Sequence, residues 1–416
     1  MFTDARVRVP PNYDAFQRPD RGASFADPVF GTGIKRISSA GATTNADGSG
    51  GDALTWITDE YSSVCPFSND NSRLILVHES YFGLYSGAGV FLRSLPLEIN
   101  ASARPRWSRK DSLRTLYYIK GNQLKSFNVD SGVASVVHTF TEYTTIDDGG
   151  GKSDISLDGD HFVFCGDNRF VFVYELSTGL KYRPWENTTG LTFHNLYLTP
   201  HNNFSLAWWD HGTTPNTGID LFDINGHYIR QLVHADGHMD YMLDSDGSEV
   251  LIWFNSDDPV PVPDAQNAVV KVKLSDGSQT PLLELDWSQV VHVSTPDAGG
   301  FCYVSTYTPS NPAPAQWQPY TNELLKVPID GSPAQRLAHH RSRPNATNTY
   351  NYQAHISCSR DGSRFVFNSN FNLRPTPNYS DVYMVQVGNN PHPPVPPRPP
   401  RPHPPIPPIP QPRPRI

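Results

Sequence analysis

Imidazole is the side chain that serves as base, acid or metal ligand near neutral pH, and four histidines, His194, His238, His292 and His355, each stand just ahead of a turn sequence. His194 is followed by Asn195. His238 precedes Asp240, Tyr241 and the turn residues Ser245, Asp246, Gly247 and Ser248. Gln353 and His355 precede Ser359, Arg360, Asp361 and Gly362. On a strand, residues two apart point to the same face, so Gln353 and His355 are neighbours, as are His238 and Asp240. Imidazole with amide or carboxylate oxygen suits a divalent first-row metal such as Mn²⁺, Zn²⁺ or Fe²⁺. On that chemistry His292, Gln353, His355 and Asp240 are candidate metal ligands. Any one histidine reads equally well as a hydrogen-bonded structural residue; three at one register of adjacent repeats point to a shared site.

Other chemistry-bearing stretches are sparser. Trp208 and Trp209, with Asp210 and His211, offer aromatic faces on which a sugar ring could stack, or an edge cluster of the core. Arg341 and Arg343 lie in a loop leading into the last repeat, where the spacing puts them at the mouth of a channel. There they would bind an anion or stand as solvated charges. No nucleophile elbow, phosphate-binding glycine loop, His-Glu-x-x-His or Cys/His zinc pattern is present.

These residues are positioned by a repeated unit. Residues 350–367 read as a strand, a tight turn and an apolar strand, and the unit recurs at 64–76, 106–119, 154–164, 195–207, 241–253 and 292–303. Gly supplies positive φ in these turns and Asp or Asn bonds its own backbone. A second hairpin follows several copies. Seven units at roughly 40 to 50 residues match four-stranded blades. The fold expected is all-β, a seven-bladed β-propeller over 25–389, after an irregular lead-in over 1–24 and before a disordered Pro-rich tail over 390–416. The hairpin sequence of Asp27 to Ser38 is expected to supply an outer strand to blade 1 or blade 7.

The formal net charge of −8 excludes a protein built to neutralise phosphates, so no nucleic-acid partner is expected. No run of 18 apolar residues exists, hence no helical membrane span is expected. The start lacks an apolar signal region, which favours the cytoplasm and leaves periplasmic or secreted locations open. Cys65, Cys165, Cys302 and Cys358 read as buried thiols, with a Cys65–Cys358 bridge between the first and last blades as the alternative. The tail, rich in Pro with Arg398, Arg401, Arg413 and Arg415, reads as polyproline II, a spacer or a ligand for a protein or an anionic surface.

The segment from Gln353 through His355 into the Ser-Arg-Asp-Gly turn and Phe365 to Ser369 resembles the oligogalacturonide lyases, seven-bladed propellers of the TolB-like group. The strands carrying His238 and His292 are similar to that family's histidine-bearing strands. The resemblance implies Mn²⁺ held by His292 and His355 with a glutamine, and His238 as the proton-abstracting base. The sequence departs from the family where Gln353 replaces the first histidine of a His-x-His pair, where Tyr350 stands in place of an upstream glutamine, and where Asp240 occupies the register of the family's base. The expected function is metal-assisted β-elimination on uronate-containing oligosaccharides. Tyr241 or His194 would then be the acid, Arg341 and Arg343 the carboxylate clamp, and Trp209 a sugar contact. The alternative is a non-catalytic TolB-like binding or scaffold module.

Overall fold

In the computed structural model the described residues are 2–43, 53–79, 81–98, 103–110, 114–256, 267–297, 299–344, 350–372 and 378–388. They form a seven-bladed β-propeller: seven antiparallel sheets, each built from strands consecutive in the chain except that of blade 7. The Pro- and Arg-rich tail lies outside the described residues, as do 44–52 and 345–349.

The turn after each inner strand explains why the unit repeats. In blades 1, 3 and 7 a serine hydroxyl bonds the carboxylate two residues on, Ser68 to Asp70 at 2.7 Å, Ser156 to Asp158 at 2.5 Å and Ser359 to Asp361 at 2.6 Å. The same carboxylate oxygen accepts a backbone N–H beyond it, from Ser72, Asp160 and Ser363. Side chains thereby close the turn and leave the flanking backbone free to pair. Gly362, at φ +66, supplies the left-handed residue there.

Middle strands are apolar on both faces because each sheet is sandwiched by its neighbours. Val250 to Phe254 of blade 5 are all buried, and Met242, Val250 and Ile252 pack with Val291, Val304 and Leu325 of blade 6. β-Branched and aromatic side chains fill such a slab well.

Blade 7 is closed from both ends of the chain. Its sheet runs Ile356–Cys358, Arg364–Ser369, Asp381–Gln386, then Gly33–Arg36 and Ser24–Ala26, with Ile34 opposite Val385. The N-terminal hairpin thus joins blade 7. Buried Arg36 reaches Asp381 at 2.6 Å, and Asp381 also accepts from Ser38, from the Ala40 N–H and from the Tyr379 hydroxyl. Earlier residues lie against blade 6, where Phe2 bridges to Arg336 and Arg336 forms a buried pair with Glu323. All four cysteines are free thiols, and the Ser294 hydroxyl donates to Cys358 Sγ at 3.3 Å.

Candidate metal and substrate site at one end of the channel

The inner strands of blades 5, 6 and 7 carry their histidines on the face that looks towards the next blade. His238 Nδ1 donates to the Val291 carbonyl of blade 6. His292 Nε2 lies 2.8 Å from Gln353 Oε1 of blade 7. His355 Nδ1 is 3.6 Å from Asp59 of blade 1. The three rings therefore gather: His238 and His292 stack with centroids 4.2 Å apart, and His292 and His355 meet edge to face at 4.3 Å. Tyr61 stands 5.8 Å from His292 and 5.6 Å from His355, while Tyr307 stacks on His292 at 5.4 Å and Tyr350 meets His355 at 4.8 Å.

Hydrogen bonding fixes the proton on two of these rings. The Val291 carbonyl can only accept, so His238 is protonated on Nδ1 and carries its lone pair on Nε2. With His292 Nε2 donating to Gln353, its lone pair is on Nδ1, a buried atom with no hydrogen-bond partner among the described residues. Both ring nitrogens of His355 are likewise buried without one. Burial pushes His238 down to about 4. Burial, then the neighbouring imidazoles, hold His292 well below its ordinary value. Both are neutral at physiological pH, the state in which imidazole binds metals or takes protons.

Orphaned nitrogens on His292 and His355 beside the Gln353 amide fit a divalent first-row metal in kind. Among the described residues, however, no three His, Cys, Asp or Glu side chains are arranged to hold an ion. The nearly parallel stack of His238 on His292, with planes 15° apart, aims their nitrogens alongside rather than at one another's lone pairs.

The other expected residues fall in three places. Asp240, one strand step deeper, is committed to blade 6: its Oδ2 accepts the Thr295 N–H at 2.7 Å and the Thr295 hydroxyl at 2.9 Å. Burial pushes its carboxyl up to about 8, so it is mostly protonated at neutral pH. The Tyr241 hydroxyl donates to Ser205 at 2.7 Å and the ring packs between blades 4 and 5, away from the imidazoles. His194 stands at the rim: Nδ1 bonds Asp236, two residues before His238, and its ring stacks beneath Trp209 at 3.7 Å, the indole being 60% exposed.

Arg341 and Arg343 are not at the rim. Both are buried, Arg341 with its guanidinium over the Phe16 ring at 4.0 Å and Arg343 over Tyr13 at 3.6 Å with Asp14 at 2.6 Å. The N-terminal segment covers this loop, so neither guanidinium faces the channel as the spacing suggested.

Three groups at this end carried no motif. Asp59, beneath His355, accepts from the Ser357 hydroxyl and the Asn368 amide. Tyr61 walls the pair His292 and His355. Lys152 stands with its ammonium 4.6 Å over the Tyr61 ring. The one legible signal was the Gly149–Gly151 triplet just ahead of the lysine. Below the imidazoles a cavity of about 70 Å³ continues the channel, bordered by Lys152, Asp240, Ser294 and Cys358 among others.

No protein-family profile matches the chain, and no curated protein matches it in sequence. Solved structures do match in fold. An oligogalacturonate lyase in complex with manganese is 12% identical with a TM-score of 0.56, covering 88% of this chain and 95% of its own. The oligogalacturonate lyase of Vibrio parahaemolyticus is 11% identical with a TM-score of 0.60, covering 88% and 96%. Hydrazine synthase of Kuenenia stuttgartiensis is 12% identical at a TM-score of 0.50, covering 78% and 96%. The chain is a seven-bladed propeller similar in fold to the oligogalacturonate lyases.

Proposed function

We propose that the protein is a metal-assisted lyase that cleaves uronate-containing oligosaccharides by β-elimination. The observation that carries this reading is the meeting of three imidazoles at one end of the channel, one with its free lone pair fixed on Nε2 by a backbone carbonyl. The fold shared with a manganese-bound oligogalacturonate lyase supports it.

His292, His355 and Gln353 would hold the divalent ion, manganese being favoured. When bound, such an ion neutralises the uronate carboxylate and the charge that develops on it as the adjacent carbon loses its proton. His238 Nε2 takes that proton. The electron pair left behind forms the new carbon–carbon double bond, and the glycosidic oxygen departs. His194, hydrogen-bonded to Asp236 at the rim, would give the departing oxygen a proton. Tyr241 is not, since its hydroxyl is engaged by Ser205. Trp209, exposed above His194, would stack on a sugar ring. Asp59, 3.6 Å from His355 Nδ1, would orient that ring once the two closed together.

Purified protein is expected to contain a divalent metal and to release unsaturated product from galacturonate oligomers, read by ultraviolet absorbance. Absence of both would remove the lyase reading. The stacked arrangement of His238 and His292 favours a second reading, a non-catalytic binding module. Binding of oligomers without any unsaturated product would establish that one.

A further inference from the structure

Lys152 borders the cavity at this end of the channel, its ammonium 4.6 Å over the Tyr61 ring that meets His292 and His355. It follows Gly149, Gly150 and Gly151, at φ +64, +106 and +78, a left-handed run that side-chain-bearing residues rarely adopt. The three glycines also press against their surroundings. A Cβ on Gly149 would stand 2.3 Å from Leu196 Cβ, and one on Gly150 would stand 2.6 Å from Asn195 Oδ1 and 3.2 Å from the His194 carbonyl. One on Gly151 would meet Arg104 Nε at 2.8 Å. The segment that follows the inner strand Ile146–Asp147 of blade 3 is thus threaded flat against the inner strand of blade 4, and the Lys152 ammonium stands over the Tyr61 ring.

Its ammonium is poorly compensated there. No carboxylate among the described residues forms an ion pair with it, Asp236 acting on it only at longer range. Its near contacts are the Tyr61 ring face and, with the Asn195 amide turned to present oxygen, Asn195 at 3.3 Å. An ammonium partly removed from water without a counter-ion is unfavourable, and a bound anion offsets that cost. The arginines expected to supply the clamp are buried under the N-terminal segment, and Arg109 and Arg360, which also border the cavity, are paired with Asp297 and Asp154, so Lys152 is the cavity cation without a carboxylate partner among the described residues.

We infer that Lys152, projected over Tyr61 by the triple-glycine loop, is a second carboxylate-binding subsite of the channel, beside the ion that would take the carboxylate next to the reacting carbon, and selects acidic over neutral sugars. The inference rests on the uronate part of the function proposed above. The lysine acts as a point charge that pairs with one carboxylate oxygen, while the Tyr61 ring holds the ammonium in place. The neutral methyl ester of the same sugar keeps its shape and loses the pairing.

The test is calorimetric titration of digalacturonate and of its methyl ester into the protein carrying His238→Ala, which prevents turnover. With Lys152 present, the acid is expected to bind about tenfold or more tighter than the ester. Adding Lys152→Gln should weaken the acid about tenfold and leave the ester unchanged, and Lys152→Arg should retain the preference. Equal binding of acid and ester by the lysine-containing protein overturns the inference without reference to any lysine variant. So does an unchanged acid affinity in Lys152→Gln. Charge-selective binding without unsaturated product from wild type leaves the subsite standing and removes the lyase.

Discussion

His238 shows how one backbone contact assigns a role. Because Val291 holds its Nδ1 proton, the ring can offer Nε2 as a base, whereas His292 and His355 carry unpartnered nitrogens suited to an ion. Replacing His238 by Ala is expected to lower turnover by about 10²–10⁴-fold with metal content unchanged. His355→Ala should instead strip the metal while the circular-dichroism spectrum stays that of the folded protein. Metal analysis beside the product assay separates the two; retained metal in His355→Ala contradicts the assignment. The pH profile gives an independent reading. With His238 held at about 4 by burial, the acid limb of kcat/KM should fall near that value, activity being lost as pH drops through it. A limb near the ordinary imidazole value of about 6.5 would mean that the base is a more exposed group. What the sequence conveyed at this scale was the histidines, since each repeat marks its register by the turn that follows. What it hid was Lys152, Tyr61 and Asp59: they stand in blades whose inner strands carry no histidine, and their placement depends on how the ring closes. The arginines misled for the same reason, because the lead-in that buries Arg341 and Arg343 is more than 300 residues away in sequence and announces no pairing.

Among the elements, the strand Gly33–Arg36 decides whether the ring is closed. It joins the two ends of the chain, and the pair between Arg36 and Asp381 is buried on both sides, with the Asp381 side chain fully enclosed. Removing Arg36 leaves Asp381 only the partly exposed Arg18 at 3.6 Å, and breaking such a buried pair costs about 3–5 kcal/mol. Arg36→Ala is therefore expected to lower unfolding stability by about that amount in urea titration. A surface-like loss below about 1 kcal/mol would show that blade 7 is held by its apolar pairs alone. The repeat made seven blades legible, because the turn serines and aspartates recur in the same order and apolar strands follow them. It also made the N-terminal hairpin legible as a closing element, without saying which blade takes it. The choice of blade 7 is settled by register, with Ile34 opposite Val385 in the core of that sheet, and by the demand of Asp381 for a cation.

At the scale of the whole molecule, two sets of buried titratable groups act with opposite sign on stability. His78 and His340 lie in the blades rather than in the channel. His78 Nε2 is 2.8 Å from the Tyr85 hydroxyl, while His340 bonds the Thr306 carbonyl at 2.8 Å and accepts the Ser342 N–H at 3.0 Å. Burial pushes them down to about 4 and about 3. Their folded values lie below the unfolded one of about 6.5, so as pH falls below that point the unfolded chain takes up protons first. Stability is then lost progressively until the folded values are reached. Glu60 is raised to about 7 and Asp240 to about 8, in both cases first by burial. Each contributes stability in its protonated form, fully present below the usual carboxylate value of about 4 and lost as pH rises through the folded value. Between about 4 and 6.5 the two sets oppose one another, and with His238 and His292 added the histidine side outweighs the carboxyls; above that window only the carboxyl loss continues, and near its lower edge only the histidine loss does. Urea midpoints are therefore expected to be highest at a pH of about 6.5, to fall towards a pH of about 8, and to fall again as pH drops towards about 4 and below. His340→Gln should flatten the acid side by on the order of 5 kcal/mol, since each tenfold difference in proton affinity between folded and unfolded chains is worth about 1.4 kcal/mol, and leave the alkaline side as it was. An acid limb of unchanged steepness in that variant would assign the acid sensitivity to the paired carboxylates instead.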